Sequence, residues 1–374
     1  MLRHYEQHNG GVKNYTKSIL EQLLTIDRDH EFVFIYQNPD LIGTYGDNER
    51  VKEVAIRSPS IFTWDQCVVP WVEKTEKLDV IFNPKYSLPL AARCPCVFVC
   101  HGLDWYVMPW GSTWLNRLSH RYLVPKYAKK ADAVIAVSES TGRDAKQFLS
   151  LEESKVRVVY HGINNRFLSS VSDADKTRVA EKYHLPERYL LFVSGIYPPK
   201  NFDRLLRAYA QVGPRLGVKL VVAGSHIYLC EHQFKLADEL HITDHVNFAG
   251  WVEHDELPAF YAGAEGLLLP SLYEGCPSPL LEAMAVGCPI LTGNRSGMKD
   301  VAGDAALLVN PDSVGDIAAG ICKLVERPDL CAQLRVRGKQ RARRFSWRQC
   351  GELTLDTLEA VAGRSHSLTG AARG

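Results

Sequence analysis

Three strand-like runs in the second half of the chain, Leu190–Val193, Val218–Ala223 and Val246–Ala249, each close on a glycine. Those glycines, Gly195, Gly224 and Gly250, stand 29 and 26 residues apart. That interval is about one strand plus one helix, and the continuous apolar run Leu190–Val193 suits a strand covered on both faces. The same alternation extends through the whole sequence. It predicts strands at Glu31–Tyr36, Val51–Ile56, Asp79–Phe82, Cys96–Cys100, Ala133–Val137 and Val156–Tyr160. The second half adds Tyr189–Ser194, Val218–Ala223, Val246–Ala249, Gly266–Leu269, Pro289–Thr292 and Ala306–Val309. Short strands alternating with longer helical stretches predict an α/β chain with parallel sheets.

A chain of 374 residues suggests two such domains. The polar connector at Asn164–Asn165 and Ser169–Asp175 places the boundary near 163–188. We expect an N-terminal domain over 1–165, a C-terminal domain over 166–346, a last helix over 347–362 and a disordered tail over 363–374. With 44 Lys and Arg against 43 Asp and Glu, the net charge of +1 gives no sign of a nucleic-acid binder. No apolar run approaches the ~18 residues of a membrane span, and the polar start around His4, Glu6 and His8 does not read as a secretory signal. Ten cysteines are too few for a disulfide scaffold, so a reduced, cytosolic protein is expected. Cys94, Cys96, Cys100 and His101 do not have zinc spacing, and two of them fall in a strand, where cysteine is a small core residue. Asp27 and Asp29, and Asp173 and Asp175, match a D-x-D pattern but do not follow buried strands. They read as helix-end and linker charges.

The densest stretch is SLYEGCPSPLLEAMAVGCP, Ser271–Pro289. Glu274 precedes a helix and Glu282 lies one turn inside it. Ser278 is expected as N-cap, Pro279 as first helical residue and Gly287 as stop. Free N–H groups at Leu280 and Leu281 would suit an anion at the edge of the sheet. The plainer alternative is a capped helix with one exposed and one half-buried Glu. In VSGIYPPKNFDR, Lys200 stands at the mouth of a helix that Asn201 is expected to cap, where a cation can neutralise a leaving diphosphate. Gly10 and Gly11 open a helix in NGGVKNY, and His101 ends the strand Cys96–Cys100. Each has a structural alternative: a solvated lysine, a simple turn, a core histidine. Between residues 117 and 130, Arg117, Arg121, Lys126, Lys129, Lys130 and His120 occur with no acid. They are flanked by Trp105, Tyr106, Trp110, Trp114, Leu115, Leu118 and Leu123. That pattern reads either as a solvated helix face or as an element for an anionic membrane surface.

Together these stretches resemble the retaining glycosyltransferases of family 4. The most specific match is the Glu-x7-Glu element EGCPSPLLEAMAVGCPI. It is supported in order by GGVKNY, AVSESTGRDA, VVYHGIN, FVSGIYPPKN, HVNFAGWV and DAALLVNPDS. TWDQCVVPWV, DVIFNP and VFVCHGLDWYVMP resemble the branch that builds bacterial surface polysaccharides with mannosyl- or glucosyltransferases. The resemblance implies the GT-B fold, two Rossmann-like parallel-sheet domains facing across a cleft, with the last helix crossing back to the N-terminal domain. It implies transfer of a hexosyl unit from a nucleotide-diphosphate sugar, such as GDP-mannose or UDP-glucose, to a glycan or lipid-linked hydroxyl, with retention, no metal and no other cofactor. Matched positions then have implied roles. Gly10 and Gly11 lie against the diphosphate, and His101 meets the donor sugar or the acceptor. Lys200 binds diphosphate, Glu274 holds sugar hydroxyls, Glu282 holds ribose hydroxyls, and the backbone near Val252 meets the base. Three departures bear on those roles. Pro199 stands where the family has Arg, with Arg204 a candidate to compensate. Cys276-Pro277 replaces a glycine-rich turn. Only nine residues precede the Gly pair, so Met1–Tyr5 is a poor first strand and the start is expected to be truncated. A non-catalytic sugar-nucleotide-binding protein, or another GT-B enzyme such as a sugar-nucleotide epimerase, is the alternative reading.

Overall fold

The computed structural model describes residues 1–2, 5, 10–26, 28–111, 114–224 and 230–371. Asn9 and Asp27, and the side chain of Leu115, lie outside the described residues. The chain divides into two units, one formed by Met1–His161 with Trp347–Gly374 and the other by Gly162–Ser346. The first crossing falls four residues before the expected boundary, between His161 and Gly162.

Unit 2 is a six-stranded parallel sheet. Its strands are β7 (Tyr189–Val193), β8 (Lys219–Ala223), β9 (Val246–Gly250), β10 (Gly266–Leu269), β11 (Ile290–Gly293) and β12 (Leu307–Val309). They are ordered β12-β11-β10-β7-β8-β9, so β7 and β10 are neighbours at the centre. This is the doubly wound order in which the chain direction reverses between the two central strands. Leu190, Leu191, Phe192, Leu267, Leu268 and Leu269 are fully buried. Each contributes about 1.5–3 kcal/mol by leaving water, which is why β7 and β10 carry no charged residue. The strand-end glycines have a physical cause. Gly224 has φ +150, and a Cβ there would lie 2.1 Å from the Ser194 carbonyl oxygen.

Unit 1 holds two parallel sheets. One pairs β1 (Phe32–Tyr36) with β2 (Val51–Ala55). The other runs β3 (Ile81–Asn83), β4 (Cys96–Cys100), β5 (Ala133–Ala136), β6 (Val156–Val158) in spatial order. Met1 and Leu2 are buried and bridge these sheets without forming a strand. The Met1 amine donates to the Phe82 carbonyl at 2.9 Å, and the Leu2 N–H donates to Ile35. Burial pushes that amine down to about 5, opposed by Asp65.

The helices that bear on function are α1 (Gly11–Thr25), α2 (Trp114–Lys130), α3 (Phe202–Leu216), α4 (Leu257–Gly263), α5 (Ser278–Val286), α6 (Ser296–Ala302) and α7 (Trp347–Ala371). α7 belongs to unit 1 and continues to Ala371, so the tail expected to be disordered from Gly363 is helical for most of its length. Its composition of Ser, Thr, Gly and Ala reads as a linker, yet it extends a helix already nucleated, where each added residue costs little. Among the described residues no helix is long and apolar enough to cross a membrane.

Candidate functional site

The two central strands of unit 2 each deliver one charged side chain. β7 leads through Gly195 into the short 3-10 turn Pro198–Lys200, and β10 leads into Ser271–Glu274. The loops are tied together, because the Leu272 N–H donates to the Pro199 carbonyl at 2.7 Å. The result is a direct ion pair. Lys200 Nζ donates to Glu274 Oε1 at 2.6 Å, with side-chain exposures of only 7% and 13%. Ser271 Oγ donates to the same oxygen at 2.8 Å. Burial acts to lower the Lys200 pKa, but Glu274 and the Tyr197 hydroxyl outweigh it and hold the ammonium charged. The ring of Tyr197 lies 5.2 Å from Nζ.

The Glu274 backbone is clamped from α6. Its N–H donates to Ser296 Oγ at 3.0 Å, and its carbonyl accepts from Gly297 N–H at 2.9 Å. A Cβ on Gly297 would stand 1.8 Å from the Gly275 carbonyl oxygen, so only glycine permits this approach. Ser296 holds the left-handed conformation at φ 50, a conformation that costs a non-glycine residue on the order of 1 kcal/mol.

Glu282 lies on α5 and faces a different partner. The buried Tyr261 hydroxyl, from α4, donates to Glu282 Oε2 at 2.7 Å. Burial pushes the Glu282 carboxyl up to about 7, while Tyr261 and the charge of Arg166 pull it down. Val252 is buried just beyond β9, beside the exposed Trp251.

Three sequence expectations for this unit need correction. Ser278 is the first helical residue of α5, not its cap; Pro277 occupies the cap position and no side chain caps the helix. The N–H groups of Leu280 and Leu281 are not free, since both donate to the Pro277 carbonyl, at 3.1 and 3.5 Å. Prolines at 277 and 279 have no N–H to offer, so this helix end is a poor anion cradle. Asn201 is the cap residue of α3 but sits in the left-handed region at φ 59. Its amide donates to the carbonyls of Pro270 and Pro311 instead of capping. Arg204, in the first turn of α3, donates to Asn201 Oδ1 at 3.0 Å and lies 3.9 Å from Asp312.

In unit 1, α1 begins at Gly11 with Gly10 at its cap position. Among the described residues, a Cβ at either glycine would meet nothing within 4 Å. His101 follows β4 and is half-buried. Its Nε2 meets the Pro84 carbonyl at 2.7 Å, which requires Nε2 to carry the proton and leaves Nδ1 as an acceptor. Its ring packs against Tyr15 of α1 and His161, at 4.8 and 5.6 Å between centroids. Burial lowers its pKa to about 4, with Lys85 acting the same way, so the imidazole is neutral at physiological pH. Cys96 and Cys100 are buried strand residues. Among the described residues no group of three or more His, Cys, Asp or Glu side chains is placed to hold a metal ion.

The family model for glycosyl transferases group 1 matches residues 173–341. That for glycosyltransferase family 4 matches residues 9–167. Between them the two models span nearly the whole chain, which is a family 4-like glycosyltransferase. The O-antigen chain mannosyltransferase B of Escherichia coli is 31% identical over 51% of this chain and 51% of its own length. The serotype-specific mannosyltransferase WbdA of the same species is 25% identical over 64% of this chain and 31% of its own. The match therefore spans about half of the first relative and a third of the second. The Anabaena protein HepE, solved with UDP and glucose, superposes with a TM-score of 0.75 at 18% identity. That match covers 94% of this chain and 96% of HepE. At that identity the likeness establishes the fold, which is GT-B.

Tyr261, Ser271, Ser296 and Gly297 contact the candidate residues Glu274 and Glu282 or their loop and were not singled out from the sequence. Ser271 lay inside the quoted motif, three residues from Glu274. The other three reach the site only through space.

Proposed function

We propose that this chain transfers a hexosyl unit from a nucleoside-diphosphate sugar to a glycan or lipid-linked hydroxyl, with retention and without a metal, in polysaccharide or glycolipid assembly. One observation carries the reading: Lys200 and Glu274 meet at the C-terminal ends of β7 and β10, the switch point where this topology binds nucleotides. Glu282 stands one turn further on. In this reading Lys200 turns to the donor diphosphate, Glu274 exchanges the ammonium for sugar hydroxyls, and Glu282 takes the ribose. The bond from the anomeric carbon to the diphosphate oxygen breaks, and the acceptor oxygen bonds that carbon on the same face. The acceptor proton passes to the departing phosphate oxygen, and Lys200 neutralises the charge that develops there. His101, neutral with Nδ1 available, would accept from a sugar hydroxyl. In the same reading the backbone at Gly10 and Gly11, the start of α1, would lie against a phosphate.

The test is product analysis. The protein is incubated with UDP- and GDP-hexoses and a glycan or lipid-linked acceptor, with and without EDTA. Nucleoside diphosphate release is followed, and the product anomer is assigned by NMR coupling. Transfer with the donor's anomeric configuration, retained in EDTA and lost in Glu274→Gln, is expected. Inversion, an EDTA block, or free epimerised sugar nucleotide would contradict it.

An anionic membrane face is the second partner we propose, with the protein peripheral to the cytoplasmic leaflet. Trp114, Leu118 and Tyr122 follow one another at four-residue intervals on α2 and are 61–64% exposed, as is Trp110 before it. No acid occurs from Trp105 to Ala131, where Arg117, Arg121, Lys126, Lys129 and Lys130 supply the charge. Trp105 and Tyr106 are not part of this face. Trp105 is buried against His120, and Tyr106 stacks on Phe148 at 5.2 Å. An exposed apolar row edged with basic groups fits the interface of an anionic bilayer.

A further inference from the structure

Glu282 is half-buried, and its environment is built by residues distant in sequence. Tyr261 is fully buried in α4, its ring meeting Phe167 edge-on at 6.1 Å between centroids. Its hydroxyl has one partner that fixes its direction, Glu282 Oε2 at 2.7 Å. The charge that reaches Glu282 from the short turn Asn165–Phe167 is Arg166, which is itself paired with Asp255. On the far side of α5, the helix Pro328–Ala342 brings Lys339 over Gly287, beyond the helix end.

We propose that Tyr261 is the positioning residue of the donor's ribose subsite: its buried hydroxyl takes Glu282 Oε2, fixes the plane of the carboxylate and leaves Oε1 to the ribose diol. The proposal rests on the reading of Glu282 as the ribose carboxylate. A buried tyrosine that served packing alone would need no acceptor so placed, and phenylalanine would fill the space at lower desolvation cost. A hydrogen bond from a neutral O–H to a carboxylate favours the ionised form. Tyr261 therefore does two things for a diol: it orients the acceptor oxygen and keeps it charged at neutral pH. Glu282 sits near neutrality because burial and these partners oppose each other. Donor affinity should then tighten as pH rises through about 7.

The experiment is calorimetric titration of the full chain with UDP-glucose and with GDP-mannose, from pH 5.5 to 8.5. Neither diphosphate diester titrates in that range. For the sugar nucleotide that binds, the parent should show an inflection in Kd near pH 7. Tyr261→Phe should move it upward by about one unit and weaken binding about fivefold at pH 7. Should that variant fold poorly, 3-fluorotyrosine at position 261 keeps the shape and strengthens the donor, and should move the inflection downward. Glu282→Gln should give a weaker and flat profile. A Tyr261→Phe or fluorotyrosine profile superimposed on the parent's, with Glu282→Gln flat, would overturn the role of Tyr261 alone. Unchanged binding in Glu282→Gln, or no binding of either sugar nucleotide, would overturn the ribose-carboxylate reading beneath it.

Discussion

Removing Lys200 should unsettle the molecule before any substrate is present. Its ammonium is the only cation on Glu274 that the geometry supplies within ion-pair distance among the described residues, at 2.6 Å, and both side chains are largely shielded from water. Lys200→Ala leaves that carboxylate with Ser271 Oγ as its remaining side-chain donor. Breaking a buried pair from one side costs about 3–5 kcal/mol, because the surviving charge is stranded. The serine bond places this case toward the lower end, at about 3 kcal/mol. For a domain the size of unit 2, about 1 kcal/mol corresponds to about 2–4 °C, so the melting temperature should fall by about 6–12 °C. Neutralising both ends should recover most of the loss: Lys200→Met with Glu274→Leu is expected within about 1–2 kcal/mol of the parent. Urea unfolding of the parent, both single variants and the double variant gives the cycle directly. The loss should persist at 0.5 M salt, since a buried pair is poorly screened. A Lys200→Ala cost under about 1 kcal/mol, or a double variant no better than the sum of the singles, would show that water reaches the pair and that it does not hold the two loops together.

Three further outcomes follow from the same geometry. Glu282 has its pKa raised in the folded state, so its contribution to stability is complete below the ordinary carboxylate range and is lost as pH climbs through about 7. Glu282→Gln should therefore be more stable than the parent at pH 8, on the order of 1–2 kcal/mol, and equal to it at pH 5; a pH-independent difference in urea midpoints would rule this out. Gly297→Ala places a Cβ 1.8 Å from the Gly275 carbonyl oxygen and must displace the Glu274 loop. A loss of about 3 kcal/mol by denaturant titration is expected, and a loss under about 1 kcal/mol would mean the loop yields freely. Trp114→Ser with Leu118→Ser should reduce sedimentation with phosphatidylglycerol vesicles while leaving the melting temperature within about 1–2 °C, since both side chains already face water; undiminished sedimentation would place the membrane contact elsewhere.

The sheet was readable from the sequence because burial on both faces leaves a plain mark. β10 is Gly-Leu-Leu-Leu and nothing else, and β7 runs Tyr189–Val193 without a charged side chain. The placement of Lys200, Glu274 and Glu282 followed from knowing where such strands end. The helix start at Ser278 did not follow, because serine before proline is a good capping signal in isolation. The preceding Pro277 takes the cap position and its carbonyl captures the N–H groups of Leu280 and Leu281. Tyr261 lies 21 residues from Glu282 and looks like any core aromatic, and Ser296 lies 22 from Glu274. No local pattern records which buried hydroxyl finds which carboxylate, since that depends on the packing of α4 and α6 around α5. Trp105 shows the converse: its sequence neighbours suggested an exposed row, and its burial was set by Tyr86 and His120.

The most direct test of the central claim is a crystal structure of this chain with a nucleoside diphosphate, GDP or UDP, soaked at saturating concentration. The expected density places the diphosphate within about 3 Å of Lys200 Nζ, with the Lys200–Glu274 contact opened, the ribose on Glu282 Oε1 and the base beside the backbone at 251–253. A nucleotide bound away from the ends of β7 and β10, or an ion pair still closed beneath it, would contradict the assignment of this switch point as the donor site.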